Sequence, residues 1–393
     1  MSEFQVQYTL TEEQRLIQET VRSFARERVA EHASAIDAEA RYPQHMFDAL
    51  RELGLFALPF PERYGGTGSM LSACIAIEEL GRVCYNTAYL LVVQWVPFGA
   101  ILAGGNEEQQ QRLLPGLASG ELRGALSVTE PAAGSDVAGI TTRAQRCDGG
   151  YRLTGTKIYC TNAAVADFIV VAAKTDSDAR HSGISVFLVD KDTPGFSITR
   201  NESKLGARGV PSSELHFDDA FVAEENRLGP EGEGFKLVME AFNQSRPIIG
   251  ARGVGLAQGA LDLAVNFVRD REAFGQPVAQ FQGVQWMLAD MAIQTEAARH
   301  LVYKSAATVD AGISGRELAP IVAMAKCHAT DTAMKVATDA LQLWGSAGIS
   351  TDNPIERYFR DAKVLQIVEG TNQIQRNIVG RYVVRSTDTI RHS

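Results

Sequence analysis

The feature that most constrains the fold is a change of texture that occurs twice along the chain. Up to residue 122, apolar side chains recur at helical spacing. From about Gly124 to residue 230 they come in short runs broken by turn residues. From Gly234 the helical spacing returns and stays. In the first part, Thr11-Glu-Glu-Gln14 is a capping-box pattern. Leu16, Ile17, Val21, Phe24 and Val29 follow on one face. A second helix starts at Pro43, carries Met46, Phe47, Leu50 and Leu53, and stops at Gly54. After a loop over 58–66 rich in Pro and Gly, helices resume over 71–93 and 109–117. The middle runs at 151–159, 168–173, 184–189 and 214–217 read as strands with no helix between them, which predicts an antiparallel β domain. The last part predicts about six helices, over 235–242, 248–269, 280–309 and 318–344 and on either side of Glu369. The fold class is therefore α+β multidomain: an N-terminal helical domain (1–122), a central antiparallel β domain (123–233) and a C-terminal helical bundle (234–393).

Charge and cysteine usage narrow the function. The 393-residue chain is 45% hydrophobic with a net charge of −9 and no basic tract, which argues against nucleic acid. Five cysteines form no CxxC, so free thiols in a reducing, cytoplasmic compartment are expected. Seven scattered histidines give no metal-ligand pattern, so no metal is expected. The opening Met-Ser-Glu-Phe-Gln resembles neither a signal nor a transit peptide. The stretch 89–103 is strongly apolar, but a membrane helix needs roughly 20 apolar residues. Gln94, Pro97 and Gly99 interrupt this one, so a buried core segment is expected.

The chemistry-bearing stretch runs from Arg360 to Tyr382. Val364, Leu365 and Val368 bring a helix to Gly370, which can take the left-handed conformation that ends helices. Thr371 then suits the N-cap of a second helix with Ile374, Ile378 and Val379 on its buried face. Glu369 falls at the break. The last turn of a helix disfavours an anion by roughly 0.3–1 kcal/mol, and Ile367 and Val368 add apolar surroundings. Both push the carboxyl pKa upward, as a general base near neutral pH requires. A solvated turn Glu is the alternative. Elsewhere, Gly253-Val-Gly-Leu-Ala-Gln-Gly259 has no preceding strand, so its glycines read as helix packing rather than a dinucleotide loop.

Ile367-Val-Glu-Gly-Thr-Asn-Gln-Ile-Gln-Arg376 resembles the catalytic signature of the acyl-CoA dehydrogenases. The resemblance implies that Glu369 removes the α-proton of an acyl-CoA while FAD takes the β-hydride at N5. The enolate oxygen would be held by the flavin ribityl 2′-hydroxyl and the Glu369 N–H. Gly370 would lie against the substrate, and Thr371 and Gln373 against the flavin. Ser127-Val-Thr-Glu-Pro-Ala-Ala-Gly-Ser-Asp136 matches a second family motif. It implies flavin contacts from Leu126, Val128 and Thr129 and a CoA contact from Ser135. Lys157-Ile-Tyr-Cys-Thr-Asn162 matches a third, with Tyr159 packing on the flavin where many relatives have Trp and Thr161 near N5.

Gln244-Ser-Arg-Pro247 is read as the start of a long helix with Pro247 in its first turn. By the resemblance Arg246 lies near CoA, as does Asn243, which stands where many relatives have Asp. Ser245 occupies the alternative position of the family's catalytic Glu, leaving Glu369 as the one candidate of the two. Arg271, Phe274 and Gln282 match a region that reaches the FAD of a neighbouring subunit. Gln342, Gly345 and Ser346 match the segment along its adenosine. Ala88, Val92, Trp95 and Phe98 are expected to line the acyl pocket. No Arg matches the one that holds a distal carboxylate in glutaryl-type relatives, so a neutral short-to-medium, branched or cyclic acyl group is favoured. The resemblance further implies a homotetramer and electron-transfer flavoprotein as acceptor. A same-fold acyl-CoA oxidase, a dicarboxylyl-CoA dehydrogenase and a non-catalytic CoA-binding protein are the alternatives. The chain ends soon after Tyr382, without the membrane-associated domain of very-long-chain relatives, so a soluble enzyme is expected.

Overall fold

In a computed structural model, residues 8–386 are described. The first and last seven residues of the expected N- and C-terminal domains lie outside them. The helix–strand–helix order of the sequence is the order of the fold. The N-terminal helices are α1 (Glu12–Phe24), α2 (Ala33–Glu39), α3 (Gln44–Glu52), α4 (Met70–Gly81), α5 (Tyr85–Gly104) and α6 (Glu107–Ser119). The capping box that opens α1 is formed in both directions between Thr11 and Gln14. α5 lies almost wholly in the core, which explains its lack of charge. By length and composition α5 could cross a membrane, but its apolar window is 83% buried inside the protein, as core packing requires.

The middle strands are β1 (Gly124–Ser127), β2 (Arg143–Cys147), β3 (Gly150–Thr161), β4 (Phe168–Lys174), β5 (Ile184–Asp190), β6 (Phe196–Asn201), β7 (Ser212–Ala223) and β8 (Arg227–Leu228). They form one sheet in the order β6-β7-β3-β2-β4-β5-β8, with β1 pairing to β4. Most pairs are antiparallel, as expected. Two are not: β1 runs parallel to β4, and β2 meets β4 in parallel at Arg143 and Lys174. Parallel pairing joins segments distant in sequence, which a local strand pattern does not encode. β4 explains its own continuous apolar run. Phe168, Val170 and Ala172 face the helical core, and Ile169, Val171 and Ala173 face a second core inside the β domain.

The C-terminal helices are α7 (Gly234–Asp270), α8 (Gln282–Asp310), α9 (Gly315–Trp344), α10 (Ile355–Leu365) and α11 (Asn372–Ser386). Here two expectations are corrected. The two helices over 235–242 and 248–269 are one, and Pro247 lies in its interior rather than its first turn. A proline costs a helix one hydrogen bond, and the packing of both flanks holds the helix continuous across it. The expected glycine packing is present. A Cβ on Gly253 would stand 3.1 Å from the Ala329 carbonyl oxygen of α9, and one on Gly255 only 2.4 Å from that of Glu78 on α4. A Cβ on Gly99 of α5 would lie 3.3 Å from Ala241, so α5 and α7 also cross closely.

Candidate active site

Four elements build the site: the turn between α10 and α11, the middle of α7, the inner face of α5 and the end of β3. The turn places Glu369. α10 ends at Leu365, and Glu369 (φ 57°) and Gly370 (φ 84°) both take left-handed conformations before α11 starts. A left-handed residue with a side chain carries strain of about 1–3 kcal/mol, held only where the surroundings fix it. Those surroundings are polar side chains. Gln375 Nε2 donates to the carbonyls of Glu369 and Gly370 at 3.2 and 3.0 Å, and Lys326 Nζ donates to that of Gly370 at 3.0 Å. This corrects the expected apolar face of α11. Asn372 and Gln375 are its buried positions, while Ile374, Ile378 and Val379 are half-buried. The N-cap role of Thr371 holds, its hydroxyl accepting from Ile374 N at 3.3 Å.

The Glu369 side chain turns to α7, where Ser245 Oγ donates to its Oε2 at 2.7 Å. Burial pushes the Glu369 carboxyl above the usual carboxylate range, against the opposing pull of Ser245, Arg246, Lys326 and Arg252. The direction matches the sequence reading, but its cause differs. Burial dominates, and Ile367, expected to shield the carboxylate, is itself exposed. Lys326 is brought down to about 8 by burial, with Glu369 acting the other way. Arg246 is also buried and pushed down, to about 10, by the same desolvation. Its Nη1 donates to Asn243 Oδ1 at 2.8 Å, so Asn243 orients the guanidinium. Among the described residues the Glu369 N–H has no hydrogen-bond partner.

The β3 side is set by a bulge. Pairing with β7 slips between Lys157 and Cys160, and Tyr159 there has φ 54° and an exposed ring. A bulge re-aims a side chain that a regular strand would point elsewhere. Two residues on, Thr161 Oγ1 meets Ser212 Oγ at 2.9 Å and receives the Tyr89 hydroxyl of α5 at 3.5 Å. The loop after β1 is fastened to this strand. Ile158 N donates to Thr129 O at 2.9 Å, and Lys157 Nζ reaches Glu130 Oε1 at 2.8 Å and Val128 O at 3.0 Å. Both partners of that ion pair are buried. Burial alone would raise Glu130, but Lys157 and the Thr141–Thr142 donors bring it down to about 2. Leu126, Val128, Thr129, Tyr159 and Thr161 thus sit on one fixed loop-and-strand unit. An exposed aromatic held in a strained conformation beside a hydroxyl fits a planar ring system that supplies the missing contact.

The structure separates the remaining expected residues. Asn243, Arg246, Ser245, Glu369 and Gly370 come together. Ser135 is exposed at its loop, and Gln373 is exposed on α11. Arg271, Phe274, Gln282, Gln342, Gly345 and Ser346 are all at the surface. On α5, Ala88 and Val92 are buried, but Trp95 donates its indole N–H to Phe56 O at 2.8 Å and Phe98 packs on Phe60. Both large rings are thereby taken up by the N-terminal domain. Sequence reasoning missed Tyr85, Tyr89 and Arg252, whose guanidinium carbon lies 4.4 and 3.9 Å from the two tyrosine ring centroids. A signal was present, because Arg252 is the one charge between Pro247 and Ala257.

Three family models cover the chain in order: acyl-CoA dehydrogenase N-terminal domain (residues 11–121), middle domain (125–220) and C-terminal domain (232–384). A probable acyl-CoA dehydrogenase of Mycobacterium leprae is 42% identical over 96% of this chain and 97% of its own. The butyryl-CoA dehydrogenase of Megasphaera elsdenii superposes with a TM-score of 0.93 at 36% identity, covering 97% of this chain and 100% of that one. PigA, solved with FAD and proline, superposes at 0.90 with 28% identity over 96% and 99% of the two chains. The chain belongs to the acyl-CoA dehydrogenase family of FAD-dependent oxidoreductases.

Proposed function

We propose that the protein α,β-dehydrogenates an acyl-CoA thioester, with Glu369 as the base that removes the α-proton. The observation that carries this is the Glu369 carboxylate, half-buried, raised in pKa by desolvation and oriented by Ser245 at 2.7 Å. A thioester α-proton is weakly acidic, so the enolate must be stabilised as it forms. The free N–H of Glu369 supports a role as one donor to the thioester oxygen, so that one residue provides both base and donor. Its strained φ keeps that donor out of any helix ladder. Arg246, held by Asn243, orients the CoA side. Tyr159, Thr161 and the Leu126–Thr129 loop hold the flavin ring. Bound FAD supplies the two-electron acceptor for the β-hydride. Water exclusion falls to α5 and α7, which cross closely at Gly99 and Ala241.

By the same reading, electrons leave for an electron-transfer flavoprotein. The enzyme works in the cytoplasm as a homotetramer, in which Arg271, Phe274 and Gln282 serve the flavin of a neighbouring subunit and Gln342, Gly345 and Ser346 its adenosine end. Complete exposure of an aromatic such as Phe274, at 97%, supports a partner surface there.

The test is Glu369→Gln. The purified variant should remain yellow but fail to bleach with acyl-CoA under nitrogen. Its kcat/KM should fall by about 10²–10⁴-fold, the usual contribution of a positioned base. A variant that turns over at the wild-type rate overturns the assignment.

A further inference from the structure

Arg252 is fully buried, yet all three of its guanidinium nitrogens are without a hydrogen-bond partner. The hydroxyl of Tyr85, also buried, has none either. A buried charge is retained in a fold only where it is paired or has a task, because desolvating it costs several kcal/mol. The two tyrosine rings cushion the cation but accept no hydrogen bond in its plane. The unused donors therefore call for an acceptor that the chain does not provide.

Their position identifies it. Arg252 stands seven residues after Ser245 on α7, which returns it to the same helix face about 10 Å further along. Side chains on a helix lean toward its N-terminus, so Arg252 leans back toward the Ser245–Glu369 pair. On its other side Tyr89, whose ring it covers, bonds Thr161 at the end of β3. The guanidinium is thus bracketed by the residue that touches Glu369 and the residue that touches Thr161. This is the space between α5 and α7 in which the acyl chain lies on the reading above. The expectation of a neutral pocket considered α5 alone; α7 brings the charge.

We propose that Arg252 is a specificity-determining residue whose guanidinium, together with the Tyr85 hydroxyl, binds a carboxylate at the far end of the acyl chain, so that the enzyme takes short dicarboxylic acyl-CoA thioesters. A planar guanidinium with several free donors matches a carboxylate bidentately. This rests on the dehydrogenase reading and adds the substrate class to it. A methyl-ended chain would leave the same donors unpaired, and sites of this kind reject such analogues by large factors.

The experiment compares matched pairs on the FAD-loaded enzyme: glutaryl-CoA with pentanoyl-CoA, and adipyl-CoA with hexanoyl-CoA. Wild type should favour the carboxylated member of at least one pair by roughly 100-fold in kcat/KM. Arg252→Met should erase or invert that ratio, chiefly by raising KM for the carboxylated thioester. It should also melt no lower than wild type without substrate, since an unpaired buried charge has been removed. Preference of wild type for the neutral members overturns the proposal but leaves the dehydrogenase reading standing. An Arg252→Met variant that shifts the pH profile equally for both members, with the ratio unchanged, also overturns it, because Arg252 would then act only through the charge of Glu369. Failure of every thioester to bleach the flavin overturns the dehydrogenase reading itself.

Discussion

At the scale of the residue, the site depends on how one carboxylate is kept usable. Burial makes Glu369 a stronger base, but a base that stayed protonated at working pH would be useless. Ser245 corrects for this by donating to the ionised form at 2.7 Å, as do the nearby positive charges of Arg246, Lys326 and Arg252. Removing the hydroxyl should therefore raise the carboxyl pKa further. In Ser245→Ala, kcat/KM at pH 6 should drop by up to roughly 10- to 100-fold, the range that losing a hydrogen bond to a charged group implies. The deficit should shrink as pH rises, because above both pKa values the carboxylate is ionised with or without the serine. A pH profile of kcat/KM for the two enzymes checks this, and a deficit independent of pH would assign Ser245 to substrate placement instead. Glu369 itself was legible in the sequence, since the helix, break and cap around it are local. What surrounds it was not. Ser245, which bonds it, and Arg252, whose charge acts on it, lie on α7 more than a hundred positions away, and only the folded chain brings them near.

At the scale of the element, α7 is the axis of the molecule, touching α4, α5, α8, α9 and α10. It manages this by lacking side chains where other backbones approach. A Cβ on Gly259 would stand 2.0 Å from Arg82 O, and one on Gly255 2.4 Å from Glu78 O. Backbone atoms cannot rotate aside, so Gly259→Ala must push α4 and α7 apart. It should destabilise the protein by about 1–3 kcal/mol or more, read as a lower denaturant midpoint. Gly380→Ala on exposed α11 meets nothing within 4 Å and provides the control, neutral or slightly stabilising. An equal gain in both would mean that helix propensity, not packing, governs these glycines. The packing role of the α7 glycines followed from the sequence because a phosphate loop needs a strand before it. The unbroken run of α7 through Pro247 did not follow, because a proline ends a helix unless tertiary contacts on both sides hold it. The face of α11 was misread for a related reason. Its buried positions are polar, Gln375 donating to the strained turn and Asn372 to Thr330 of α9, and hydropathy periodicity counts such residues as outward.

At the scale of the whole molecule, the three layers are tied by buried polar links rather than by apolar contact alone. Asp361 on α10 accepts from Ala207 N at 2.7 Å, and Asn86 on α5 accepts from Gly209 N at 2.9 Å, so the loop before β7 is fixed to both helical domains. Arg360 reaches across to Asp37 on α2 at 2.6 Å. These links tie the β domain and both helical domains together, while several large apolar side chains stay exposed. Phe274, with φ 54°, stands almost free in solvent, and Trp286 and Ile293, one heptad apart on α8, are each exposed by more than half. Exposed apolar side chains grouped in a stripe on one helix suit an interaction surface. For the proposed homotetramer, sedimentation should give a particle four times the 42.6 kDa chain mass. Trp286→Glu, which places a charge on the stripe, should yield smaller particles. If Arg271 and Phe274 serve the neighbour's flavin, those particles should also release FAD more readily, by about 10-fold or more for the loss of one charge-assisted contact. The two readouts must move together. A dissociated variant that keeps its flavin at full affinity would place the whole cofactor site within one chain, and a wild-type monomer would remove the reason for the exposed stripe.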